Sequence, residues 1–304
     1  MRWLAEFSMR GRMQAVAVAA TCLMLSLLLP VVSLLAAAVV ALVTLRKGLR
    51  EGLNTVLASA LAAGLLGAVV LGNFLLPLGY GLMLWLPTWV VALVLRYTRS
   101  LGWTFELAAI LGLVGIVAGY LILPDMAGFW QGRMQQAFGA LGEQAGLDLA
   151  RWQAQLAAIA HYMTGIVAAG MVSSLVLSLL LARFLQALLY NPGGFRAEFL
   201  GLRLHKPMAY LALGLGGVAP ILQANAREAV INMFPVLAVV YVFVGTAVLH
   251  AILAGRGQKA WLYGFYGLML FVPHVLVPIA LVGLSDSWLN WRNRFISTEK
   301  PIQR

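Results

Sequence analysis

The chain has 304 residues, is 62% hydrophobic and only 10% charged, and has a mean hydropathy of +0.91. That excludes an ordinary water-soluble domain, which runs near 45–50% apolar and about 25% charged. The net charge of +11 would suggest nucleic acid in a soluble protein. Where apolar segments need lipid, Lys and Arg instead mark cytoplasmic loops, so the expected partner is the bilayer and not a nucleic acid.

At about 20 residues per crossing, the length allows roughly eight to ten spans. The predicted elements follow from the stretches free of Asp, Glu, Lys and Arg: 13–45, 52–95, 107–124, 152–182, 207–226, 229–255 and 260–285. The basic residues Arg2, Arg10 and Arg12 precede the first stretch. They resemble the n-region of a signal peptide, but the apolar run continues to Leu45 and then meets Arg46, Lys47 and Arg50. An uncleaved membrane element fits that pattern better. As one helix, 13–45 would be about 50 Å long, against a bilayer core of about 30 Å. Pro30 near its middle, with basic flanks on both sides, predicts a hairpin of two short helices, tilted or partly re-entrant.

The stretch 52–95 must hold two spans, with the break expected at Pro77-Leu78-Gly79-Tyr80-Gly81, which carries turn chemistry. Residues 125–151 are rich in Gln, Gly and charge. Met134, Phe138 and Leu141 share one helical face there, which predicts an amphipathic segment at the outer surface. A long helix is expected from about Leu147 to Tyr190, stopped by Asn191-Pro192-Gly193-Gly194. The glycine-rich stretch 207–226 is a candidate re-entrant element.

Placing 1–12, 46–51, 96–106, 183–206 and 256–259 on one side gathers 14 Lys/Arg there and leaves three in the loops 125–151 and 227–228. That bias makes the first side cytoplasmic. A re-entrant 207–226 would also bring the tail inward. The expected organisation is a basic cytoplasmic segment 1–12, one all-α polytopic transmembrane domain 13–285 of about eight or nine membrane helices, and a basic tail 286–304.

Chemistry is sparse. The sequence has no GxxxxGK[ST] and no HExxH, so P-loop ATPase and intramembrane zinc-protease chemistry are not expected. Ser173-Ser174 lack the following glycine of a nucleophile elbow. The lone Cys22 can form neither an intramolecular disulfide nor a thiolate metal cage. No enzyme activity, metal or cofactor is expected.

Ionisable groups at membrane depth are the default site candidates. His161 lies about ten residues into the long helix, His274 sits between Pro273 and Pro278, His250 is near a cytoplasmic helix end, and Glu106 is expected to open a span as a cap. The densest polar cluster is Asn225, Arg227, Glu228 and Asn232. Asn225, Glu228 and Asn232 fall at i, i+3 and i+7 on one face. That stripe reads either as the lining of an outward cavity or as a cap and interface anchor. The proposed small-molecule site is His161, Asn225, Glu228 and Asn232. Trp3, Trp85, Trp89, Trp103, Trp130, Trp288 and Trp291 are expected to form the interfacial belt. Ala15/Ala19, Ala37/Ala41, Ala58/Ala62 and Gly115/Gly119 are candidate close-packing pairs.

The opening of basic residues, apolar helix, Pro30, apolar helix and Leu45-Arg46-Lys47-Gly48-Leu49-Arg50-Glu51-Gly52 carries a resemblance. So do Ile231-Asn232 and Tyr241-Val-Phe-Val-Gly245-Thr-Ala-Val-Leu-His250. Over about residues 10–285 the chain resembles the YybS-like family of bacterial multi-spanning membrane proteins, a domain of unknown function. That family is distantly similar to the S components of energy-coupling-factor transporters. The resemblance implies an S-component-like core in the bacterial inner membrane, binding a small molecule and relying on separate subunits for ATP hydrolysis. The rival expectation, from a different class, is a scaffold or accessory subunit of another membrane complex.

Overall fold

The computed structural model describes residues 2–145, 149–257 and 259–296, with side chains left out at 140–145, 149–152, 259 and 296. Among the described residues the only regular structure is helix, with no strand. Among those residues, five helices are long and apolar enough to cross a membrane: α4 (Leu49–Leu71), α5 (Leu75–Thr98), α6 (Leu101–Ile122), α8 (Leu149–Tyr190) and α11 (Ala224–Gly255). The pair α12 (Lys259–Phe271) and α13 (Leu276–Leu289) is bent by 111° at a short 3-10 turn and would count as a sixth span if taken together.

The remaining apolar stretches fold as shorter helices. α2 (Arg12–Ser26) has 15 residues, α3 (Val32–Lys47) 16 and α10 (Lys206–Val218) 13. At 1.5 Å per residue these reach roughly 20–24 Å, short of a core of about 30 Å. α1 (Arg2–Arg10), α9 (Gly194–Leu200) and α14 (Trp291–Ile296) are brief. The surface segment expected at 125–151 contains α7 (Met126–Ala145). Its Phe138 is exposed, while Leu141, Glu143, Asp148 and Arg151 fall outside the residues whose side chains are described, as do Lys300 and Arg304 of the tail.

The chain divides into two compact units. One comprises 1–108, 173–204 and 247–257, and the other 109–172, 205–246 and 258–304.

In the first unit the hairpin expected around Pro30 is present, with α2 and α3 separated by residues 27–31. Every residue from Ala36 to Leu45 is buried. A helix apolar all round is a core helix, and α3 packs among α2, α4 and α5. Ala15, Ala19, Ala20, Ala36, Ala37, Ala60 and Ala63 line these contacts with Val39, Val40, Val43, Val56 and Trp85. Small side chains let helix backbones approach where lipid supplies no hydrophobic drive between helices.

The break between α4 and α5 falls five residues before the expected one. Gly72 takes the left-handed conformation at φ 66°, the usual helix stop, and the Asn73 side chain accepts the Leu76 N–H at 3.0 Å. Pro77 instead sits in the first turn of α5, where its missing N–H has no helical partner to lose. A Cβ on Gly67 would collide with the Pro77 ring, so glycine is what lets this hairpin close.

In the second unit the tightest approach of α13 to α11 also rests on glycine. A Cβ on Gly245 would overlap the Ile279 carbonyl, and one on Gly283 would overlap the Tyr241 carbonyl. Asp286 near the end of α13 accepts the Trp291 N–H at 2.8 Å and lies 3.8 Å from the Arg292 guanidinium, both side chains buried.

Candidate functional site

The site is assembled in the second unit from α6, α8 and α11. α11 begins at Ala224, so Glu228 and Asn232 stand one turn apart on it, as the i, i+4 spacing requires. Pro235 lies inside the helix and removes one backbone donor from the following turn.

Glu228 is the hub. One carboxylate oxygen accepts the Tyr120 hydroxyl at 2.8 Å. The other lies 2.8 Å from Nδ1 of His161. With Glu228 ionised, His161 Nδ1 is the donor. The side chain of Glu228 is 20% exposed and that of His161 56%, so the network is open at its histidine end. A carboxylate held by one hydroxyl and one imidazole keeps acceptor capacity for a ligand N–H or cation.

Asn232 is different in kind. It is 1% exposed. Its Oδ1 accepts the Gly165 N–H at 2.6 Å, and its Nδ2 donates to the His161 carbonyl at 2.7 Å. Those two backbone groups are the i and i+4 partners of one α8 turn, so a single amide bridges both ends of one step of its neighbour's ladder. The same Nδ2 lies 2.9 Å from the Glu228 carbonyl and 3.1 Å from the Tyr120 hydroxyl. Room for this comes from Gly165, where a Cβ would meet the Asn232 backbone.

Three of the four residues proposed from sequence therefore come together: His161, Glu228 and Asn232. Asn225 is exposed and donates to the Pro124 carbonyl at 2.5 Å, tying the start of α11 to the end of the α6 segment. It has no bond to the other three. Tyr120, Thr164 and Gly165 were missed. Trp130, assigned to the belt, donates from Nε1 to Thr164 Oγ1 at 2.9 Å. Tyr120 lies only two residues from the end of α6, and nothing in its local sequence separates it from an interfacial tyrosine.

No protein-family model, curated protein or solved structure matches this chain.

The other candidates separate. Glu106 does not cap a helix, because α6 starts at Leu101 and places Glu106 in its second turn, buried. His274 lies in the 3-10 turn between α12 and α13, exposed, rather than within a continuous span. Trp85 is fully buried in the first unit's core, not in an interfacial belt. Gly115 faces open space and Ala58 is exposed, whereas Ala15, Ala19, Ala37 and Ala41 are buried as close packing requires. Among the described residues no cluster of three His, Cys, Asp or Glu side chains could hold a metal.

Proposed function

We propose that this is a bacterial inner-membrane protein that binds a small polar molecule in its helical bundle, as an S-component-like transporter subunit without its own ATPase. One observation carries the reading. Glu228, a carboxylate within a helix apolar enough to span a membrane, is left partly open beside an exposed imidazole. Such groups at membrane depth are costly and generally mark a ligand or ion path. On this reading the short helices α2, α3 and α10 and the bent α12–α13 pair complete an eight- or nine-element bundle. The N-terminus is cytoplasmic and His161 faces the outer side. The likeness to YybS-like proteins and S components is part of the same proposal.

A scaffold or accessory subunit is the second reading, and one observation favours it: Asn232 has all of its polar atoms satisfied within the protein, as helix-packing polar residues do.

Gentle purification from native membranes, then mass spectrometry of what copurifies, tests both. A retained metabolite, lost in Glu228→Gln and His161→Ala but kept in Asn225→Ala, supports the binding role. A stoichiometric membrane complex with no metabolite, unaffected by Glu228→Gln, overturns it in favour of the scaffold.

A further inference from the structure

The first unit contains a cleft of about 530 Å³ that the function above does not use. It lies where α3, α5 and α8 end and α9 begins, and three arginines converge on it: Arg96, Arg99 and Arg183, with Tyr97, Gln186 and Glu198. Their charges are not equally available. Arg183 is clamped by Glu198 through two parallel hydrogen bonds and also donates to Gln186 at 2.8 Å. That pair is internally neutral. Arg96 donates one N–H to the Leu45 carbonyl, which fixes its guanidinium without cancelling its charge. Arg99 carries the third charge, and its backbone is the telling feature. It terminates α5 at φ 52° in the left-handed region, a position normally given to glycine and unfavourable for other L-residues. An arginine held there at the lip of a concave basic cleft suggests use of its side chain.

We propose that this cleft binds a phosphate-bearing anion, with Arg96 and Arg99 as its direct ligands. The guanidinium fork matches phosphate oxygens bidentately. Among the described residues neither Arg96 nor Arg99 is in an ion pair; two such charges suit one phosphate group, and the volume lies within the range of small-molecule sites. Basic pockets between helices at a cytoplasmic membrane surface hold anionic lipid headgroups, and a free phosphorylated solute presents the same chemistry.

The test uses the full chain in nanodiscs. Arg99→Gly is the decisive variant, because glycine prefers the left-handed cap and removes only the guanidinium. Arg96→Gln is the second. Arg10→Gln, an exposed arginine on α1, controls for general loss of charge. Native mass spectrometry reads retained phosphatidylglycerol against phosphatidylcholine, and thermal melting in phosphatidylcholine discs reads added inorganic pyrophosphate. Retention of phosphatidylglycerol should fall about tenfold, or 1.4 kcal/mol, in Arg99→Gly and be unchanged in Arg10→Gln. That identifies a lipid headgroup. A pyrophosphate-induced rise in melting temperature that Arg99→Gly abolishes identifies a soluble anion. Neither ligand binding, or equal losses in Arg99→Gly and Arg10→Gln, overturns the proposal.

Discussion

The core around α3 and the contact of α8 with α11 bring helices together by opposite means. Around α3 the contact is dry. Alanines and valines of α2, α3 and α4 interlock beside Trp85 of α5, and the buried hydroxyl of Thr44 bonds back into its own helix at Val40. Between α8 and α11 one glycine opens the space and one asparagine amide fills it with hydrogen bonds. The dry contact should tolerate apolar residues of similar volume. The polar one depends on particular atoms, and it is beside the polar one that an open carboxylate is found. If the proposed binding role holds, specificity of contact and ligand recognition share the same few residues.

Substitutions rank by how directly they attack this contrast. Gly165→Leu should be the most damaging, since even a Cβ would strike the Asn232 backbone; no monodisperse protein is expected on gel filtration. Ala37→Leu inserts volume into the dry core and should cost about 1–3 kcal/mol, read as a lower melting temperature in detergent. Asn232→Leu should cost about 1–2 kcal/mol, the range for polar helix contacts in membranes. Asn232→Asp should not restore stability, because it lacks the amide donor to the His161 carbonyl. Glu228→Gln should change stability by less than about 1 kcal/mol while removing any copurified ligand. Disrupting the exposed Arg12–Glu51 pair with Glu51→Gln should leave the melting temperature unchanged, and a drop of several degrees would show that this pair anchors the hairpin.

Much of this was legible in the sequence where two independent signals agreed. The α2–α3 hairpin followed from an apolar run too long for one span and a proline near its middle. His161, Glu228 and Asn232 were legible because polar groups stand out in apolar helices. Their mutual contact was not, since 67 residues separate His161 from Glu228 and only tertiary packing joins them. Glycine was the least readable signal. Gly165, Gly245 and Gly283 sit at close contacts while Gly115 faces open space, and spacing alone cannot say which face of a helix meets a neighbour. The displaced α4–α5 break has a similar cause: Pro77 looks like a stop but is equally at home in a helix's first turn.

The amide bridge of Asn232 has a mechanical consequence. Because its oxygen and nitrogen grip backbone groups four residues apart on α8, the two helix segments mesh like a tooth in a rack. Sliding by a single residue, about 1.5 Å, would strip both bonds at once. Around the site, sliding of α8 along α11 is therefore opposed by the loss of both bonds together, whereas tilting of the two segments as one body leaves both intact.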